Sequence, residues 1–119
     1  MIADADLDFC YLTTVGRTTG RAHRIEIWFA VAPGTDTVYL LAGGREGADW
    51  VQNLVAQPEC SVDVAASTHH GRARVLAPGT DEDELARTLV HDKYAQGDEL
   101  QSWRAAALPV AIDLRTRPS

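Results

Sequence analysis

Lysine occurs once in this chain, at Lys93, against ten arginines, and acidic residues outnumber basic ones 17 to 11. The formal net charge of -6 argues against nucleic acid as a main partner, because neutralising phosphates takes a surplus of Lys and Arg. It argues equally against recruitment to an anionic membrane surface. Cysteine is nearly absent: Cys10 and Cys60 make no disulfide framework and have no metal-ligand spacing. Both fall in apolar, strand-like runs, so the expectation is two buried thiols in a reducing cytoplasm. No apolar run reaches the length of a membrane-spanning helix. The acidic opening MIADADLD has neither the basic nor the apolar region of a signal peptide. Internal repeats, low-complexity tracts and linkers are lacking, as are GxGxxG and the P-loop Lys-Ser/Thr pair. No Ser-His-Asp or Cys-His arrangement stands out. By composition this is a small binding or cofactor-using domain without a nucleophile of its own.

What is present suffices for one domain over residues 1–119, with 45% hydrophobic and 24% charged residues and a core that needs no disulfide or metal staple. Asp8–Thr14 reads as a first strand. His23–Val31 alternates strictly, with Ile25, Ile27, Phe29 and Val31 on one face and Arg24, Glu26, Trp28 and Ala30 on the other, the period of a strand. GRTTGR between them reads as a hairpin turn, and Pro33-Gly34 as another. Thr37–Ala42 is a third strand and Gly43–Gly47 a loop. Asp49–Ala56 has helical spacing, with Trp50 and Leu54 four apart, and Pro58 follows it. Cys60–Ala66 and Arg72–Leu76 read as strands joined by a turn at His69-His70-Gly71. Thr80 caps a helix over Asp81–Tyr94 whose first turn is acidic. A short helix around Glu99–Ala106 and a strand at Pro109–Leu114 complete the order βββαββααβ. This is an α+β domain built on a small, partly closed, mostly antiparallel barrel of six strands with two or three short helices.

The arginines of an acidic chain gather around GRTTGR: Arg17, Arg21 and Arg24. Such a turn is either a plain hairpin made soluble by arginine, or an anion nest in which successive N–H groups and guanidinium forks bind phosphate. Gly43-Gly44 is open to the same two readings. Glu26 and Trp28 share a strand face, which is either a solvated outer surface or a flat wall for a ring. His69 and His70, adjacent on an extended chain, point to opposite faces and do not share an ion, so no metal site is expected.

Taken together, YLTTVGRTTGRAHRIEIWF, then VYLLAGGREGADWVQNLVAQPECSVDV, and more loosely KYAQGDELQSWRAAALPVAIDL, resemble the deazaflavin-dependent nitroreductase and quinone reductase family. The most specific parts are the Thr-Thr-x-Gly-Arg-x-x-Gly turn and the Gly-Gly loop followed by Asp49-Trp50-x-x-Asn53-Leu54 and Pro58. The resemblance implies a split β-barrel like that of flavin-binding pyridoxamine-phosphate-oxidase relatives, with coenzyme F-420, a deazaflavin, as hydride donor. It implies that Arg17, Thr18, Thr19 and Gly20 contact the cofactor's phosphate-bearing tail. Arg24, Ile25 and Glu26 border its ring, and Ala42, Gly43, Gly44 and Arg45 close around the tail or ring edge. Trp50 and Asn53 fix the helix behind that loop. Tyr94 is the candidate for substrate contact or proton donation, with Ser102 a weaker substrate-side candidate and Trp103 a core residue. Where relatives carry a basic residue, this chain has Thr18; where they carry Ser-Lys before two glycines, it reads AGGREG, so Arg45 is expected to supply the charge. The chain begins close to its first strand, so the segment that covers the substrate side in longer relatives is not expected. The implied activity is hydride transfer from the reduced cofactor to a small-molecule acceptor: a quinone, nitroaromatic or activated alkene. The alternatives are a non-catalytic carrier of a lipid-like ligand or of the deazaflavin, and an oxidoreductase using FMN. A homodimer remains open.

Overall fold

The computed structural model describes residues 8–94 and 106–115. Seven strands make one sheet: β1 (Cys10–Val15), β2 (Ala22–Ile27), β3 (Ala30–Val31), β4 (Thr37–Ala42), β5 (Glu59–Val64), β6 (Ser67–Val75) and β7 (Leu108–Leu114). Two helices, α1 (Asp49–Ala56) and α2 (Asp81–Tyr94), and a 3-10 turn at Arg45–Gly47 connect them. The spatial order is β2-β1-β5-β6-β7-β4-β3, and every pairing is antiparallel.

β2 and β3 are therefore the two edges of the sheet, yet only Trp28 and Phe29 separate them in the chain. Edges tied by two residues must meet, so the sheet curls into a half-barrel. This corrects the single strand expected over His23–Val31 and raises the count from six to seven. The run stays extended, but at Trp28–Phe29 its pairing partner changes from β1 to β4. The alternation survives the change. Ile25, Ile27, Phe29 and Val31 belong to the barrel interior, while Trp28 and Ala30 belong to an outer cluster.

Phe29 lies between the two ladders, and its main-chain groups are served by side chains instead. Its N–H donates to the Tyr94 hydroxyl at 3.1 Å, and its carbonyl accepts from Lys93 Nζ at 2.9 Å. The Tyr94 hydroxyl proton goes to the Asp8 carbonyl at 2.7 Å. The Tyr94 ring stacks on Trp28 with centroids 4.4 Å apart and planes 5° from parallel, and Lys93 Nζ sits 3.6 Å from the centroid of the Phe29 ring. A buried peptide left unpaired is costly, and the end of α2 removes that cost at the seam.

Two clusters form the core. Inside the barrel, Leu12, Phe29, Leu40, Val62, Val110 and Ile112 pack with Val51 and Leu54 of α1. Outside, Ala86, Val90 and Tyr94 of α2 cover Tyr39, Leu41 and Ala111. β4 and β7 thus have apolar neighbours on both faces, which is why TVYLLA and LPVAI read as nearly unbroken apolar runs. Cys10 and Cys60 are buried and free; burial pushes their thiols up to about 12 and about 11. Thr80 caps α2 as expected: Asp83 N–H donates to Thr80 Oγ1 at 3.2 Å, and Asp83 Oδ2 accepts from Gly79 N–H at 3.1 Å.

Other boundaries moved. The His69-His70-Gly71 turn is an interior stretch of β6, and the hairpin turns instead at Ala65-Ala66, with Ala65 at φ 53°. Gly71 is a close-approach glycine, because a Cβ there would stand 2.9 Å from the Asp113 carbonyl oxygen. β1 starts at Cys10 rather than Asp8. The helix expected around Glu99–Ala106, with Ser102 and Trp103, lies outside the described residues except for its last position.

On the outer side, Arg74 clamps two carboxylates: Asp113 (Nε to Oδ2, 2.6 Å) and Glu82 (Nη1 to Oε1, 2.8 Å; Nη2 to Oε2, 2.9 Å). Tyr39 donates to Glu82 Oε2 at 2.8 Å, and Thr37 to Asp113 Oδ1 at 3.0 Å. The first turn of α2 is thereby tied to β4, β6 and β7. Hydrogen bonds from Arg74 hold both carboxyls below their ordinary range. Burial, together with the bond to Glu82, pushes the Tyr39 phenol up to about 12.

Two outcomes are expected. Tyr94→Phe, which strips the seam of its hydroxyl, should lower unfolding free energy by about 1–3 kcal/mol in urea titrations, while Leu85→Ala at an exposed position should change it by about 0.5 kcal/mol or less. Lowered folded-state carboxyl values mean that the Arg74 cluster stabilises fully above about pH 4 and loses its contribution as pH falls further. Arg74→Ala should therefore cost about 1 kcal/mol at pH 7, screening included, with the gap from wild type narrowing below about pH 4. A gap independent of pH would refute that assignment.

Candidate functional site

The turn between β1 and β2 is closed by its own backbone. Gly16 N–H donates to the Arg21 carbonyl and Gly20 N–H to the Gly16 carbonyl, both at 2.8 Å. Gly20 sits at φ 73°, a conformation glycine adopts without steric cost. Thr19 Oγ1 accepts from Arg21 N–H at 3.2 Å. Arg17, Thr18, Thr19 and Gly20 form the exposed tip.

Beneath the tip lies Asn53 of α1, only 4% exposed. Its Oδ1 accepts from the Arg17 main-chain N–H at 3.2 Å and from Arg17 Nη1 at 2.8 Å, and its Nδ2 donates to Thr14 Oγ1 at 3.2 Å. Arg17 Nη2 also stands 3.4 Å from Asp49 Oδ1 at the start of α1. One buried amide thus joins the turn, β1 and α1, and the Arg17 side chain lies down along the helix rather than reaching into solvent.

Turn and helix enclose a cleft of about 400 Å³. Arg17, Thr18 and Thr19 form its rim, Ile25 and Trp50 supply apolar wall, and Asn53 lies at its base. These six expected residues are brought together. Thr14, Gly16, His23 and Asp49 also line the cleft and were not anticipated. His23 could have been found from parity, since it shares a strand face with Ile25 and stands opposite Thr14 in the β1–β2 register.

The remaining expected residues do not line this cleft. Arg24 and Glu26 project from the opposite face of β2. There the Arg24 guanidinium lies 4.1 Å from the centroid of the Tyr11 ring and pairs with Asp63 at 3.3 Å. Glu26 accepts from the Tyr11 hydroxyl at 2.9 Å, a bond that raises the Tyr11 phenol above its ordinary value. The flat wall of Glu26 and Trp28 is likewise divided, since Trp28 already stacks on Tyr94. Ala42 is buried in the interior cluster and Gly43 and Gly44 are exposed. Arg45, at φ 52°, donates to the Ala106 carbonyl and lies 3.6 Å from Glu46. Tyr94 sits at the seam, where burial pushes its phenol up to about 12. Among the described residues no three of His, Cys, Asp and Glu gather as a metal-binding group, and no helix is long and apolar enough to cross a membrane.

A curled, antiparallel sheet with one helix feeding its interior and another packed outside defines a split β-barrel domain. Residues 5–115 match the family described as "F420H(2)-dependent quinone reductase", and the chain belongs to that family. Solved structures agree on the fold. One titled as an F420-H2 dependent reductase (FDR-A) superposes with a TM-score of 0.74 at 17% identity, covering 95% of this chain and 100% of the other. A domain-swapped dimer gives 0.73 at 18% identity over 89% and 80% of the two chains. HutZ, a heme storage protein from Vibrio cholerae, gives 0.72 at 12% identity over 92% and 83%. No curated protein matches the chain in sequence.

Asn53→Ala would leave the Arg17 N–H without its acceptor and the Thr14 hydroxyl without its donor, both at or near burial. It should cost about 1–3 kcal/mol in urea unfolding, against about 0.5 kcal/mol or less for the exposed Val55→Ala on the same helix. Equal costs for the two variants would show that the amide does not hold the turn.

Proposed function

We propose that this protein is a reductase that takes hydride from reduced coenzyme F-420, held at the cleft between the Arg17–Gly20 turn and α1, and passes it to a quinone. Membership in the family carries the cofactor class. The observation that carries the location is the cleft itself, in which a glycine-closed, arginine-bearing turn faces an apolar wall. The residues present fit such a ligand. The Thr18 and Thr19 N–H groups have no partner among the described residues and are available to an anionic tail. Ile25 and Trp50 offer the apolar surface that a flat heterocycle needs.

When bound, the deazaflavin supplies hydride from its central ring carbon; it disfavours one-electron chemistry. This chain's residues bind, orient and shield. The turn fixes the tail, Asn53 keeps the turn registered on α1, and Trp50 and Ile25 exclude water from the ring side. Arg45, donating to the Ala106 carbonyl, ties the Gly43-Gly44 loop to the segment before β7. Arg24 and Glu26 act from the far face of β2, by holding the strand through Tyr11 and Asp63. Tyr94, at the seam, influences the site through the Phe29 peptide that continues β2. The acceptor is a two-electron one, with a quinone favoured by the family and nitroaromatics as competing substrates.

Anaerobic assays with menadione should show turnover with reduced coenzyme F-420 and none with a nicotinamide donor, because no dinucleotide fingerprint is present. Equal rates with the two donors would overturn the reading. Binding without turnover on any quinone or nitroaromatic would make the protein a carrier. Protein that purifies yellow with stoichiometric FMN would reassign the cofactor.

A further inference from the structure

Arg45 is the residue of the Gly43–Gly47 loop with a positive φ, 52°. Gly43, Gly44 and Gly47 could adopt that conformation without steric cost, yet none of them does, and Gly44 stands at φ -79°. The strained position goes to an arginine, and its side chain is what holds it there. Arg45 Nη1 donates to the Ala106 carbonyl, and Nε lies 3.6 Å from the exposed Glu46 carboxylate. The anchor is firm. Ala107 and Leu108, next in the chain, are buried, and Leu108 stands opposite Ala42 in the last pair of the β4–β7 ladder. Arg45 therefore prolongs that ladder by a side chain, past the point where the strands end.

The main chain of Arg45 leads directly into α1. Its carbonyl accepts from Ala48 N–H at 3.2 Å, and the Gly44 carbonyl accepts from Gly47 N–H at 3.1 Å, which closes the 3-10 turn. Ala48 is the N-cap of α1 and offers no side-chain cap, where Ser, Thr, Asp or Asn would hold the first turn. The helix is fastened from two sides instead. Arg17 grips Asp49 and Asn53 from the β1–β2 turn, and Arg45 holds the approach from the β4–β7 corner. Trp50, in the first turn of α1, lines the cleft and packs on the interior cluster, so its place follows from where the helix starts.

We propose that Arg45 is a positioning residue. By fastening the 3-10 turn to Ala106 it sets the start of α1, and with it the position of Trp50 in the cleft wall. Its guanidinium is committed to the protein rather than to a ligand, in place of the charge expected of it from the sequence. The effect on binding rests on the cleft being the cofactor site, whereas the effect on Trp50 does not.

The test uses protein labelled with 5-fluorotryptophan, whose 19F NMR signal for Trp50 is assigned with Trp50→Phe. Arg45→Ala, Arg45→Gly and Arg45→Lys are compared with wild type and with Glu46→Gln, a change at the exposed neighbour. Without any ligand, Arg45→Ala and Arg45→Gly should move the Trp50 signal and leave that of Trp28, stacked on Tyr94, in place. Arg45→Lys should recover part of the shift, since an ammonium still donates but without the planar fork. Glu46→Gln should not move it. Arg45→Gly should unfold at the same urea concentration as Arg45→Ala or a higher one, because glycine relieves the strained backbone; a shared Trp50 shift then belongs to the lost side chain and not to lost stability. Coenzyme F-420, followed by fluorescence, should bind about twofold to tenfold more weakly to Arg45→Ala, the net worth of one hydrogen bond. The salt dependence of binding should match wild type, because no charge touching the ligand has been removed. A Trp50 signal unmoved by Arg45→Ala, or moved as far by Glu46→Gln, would overturn the assignment. So would weaker binding with a shallower salt dependence, which marks a direct contact to an anion, and so would unchanged binding despite a displaced Trp50. A displaced Trp50 in a protein whose wild type does not bind the coenzyme would overturn the cofactor reading and leave Arg45 as the residue that sets α1.

Discussion

The peptide of Phe29 lies between two ladders, and two side chains at the end of α2 supply what a neighbouring strand would. Tyr94 accepts from its N–H and Lys93 donates to its carbonyl. Without that exchange, a chain passing from one sheet edge to the other would carry buried, unpaired backbone groups through the core. The curl of the sheet, the docking of α2 and the course of β2 toward the cleft all follow from satisfying this one peptide. Tyr94 suits the place because its hydroxyl both accepts and donates, and because its ring also covers Trp28.

β2 shows how a single strand serves two chemistries. Its odd-numbered residues His23, Ile25 and Ile27 face the cleft and interior, while Arg24 and Glu26 form an external row with Tyr11 and Asp63. Crowding of arginines in sequence is therefore not crowding in space. Arg17 lies along α1 and Arg24 lies on the other side of the sheet. In an acidic chain, Arg17 and Arg24 each have a carboxylate beside them, Asp49 and Asp63, so the cleft depends on main-chain donors as much as on formal charge.

Where the pattern is local, the sequence was sufficient. Thr37–Ala42, Asp49–Ala56 and Asp81–Tyr94 begin and end where capping residues, apolar spacing and Pro58 place them. Where the information is relational it was not. An alternating run looks the same whether it keeps one partner or exchanges β1 for β4, so His23–Val31 could not reveal the seam. The β5–β6 turn is written in two alanines, which carry no turn signal, and Gly71 looked like a turn residue because its close neighbour, the Asp113 carbonyl, is far away in the chain. The turn at Arg17–Gly20 was legible through its glycines, but Asn53 was expected, from the resemblance alone, behind the Gly43-Gly44 loop, whereas it holds the Arg17 turn. His23 was overlooked as a residue lining the cleft, although strand parity already set it apart from Arg24 and Glu26.

The position of β7 has a further consequence. The last strand of the described fold lies between β6 and β4 and contributes Val110 and Ile112 to the barrel interior. As the polypeptide emerges from the ribosome, β4 and β6 have no partner for these facing edges until Leu108–Leu114 clears the exit tunnel. Everything from β1 to α2 must wait, with β4 and β6 lacking the neighbour between them, and closure of the barrel comes only after β7 is available to pair with both.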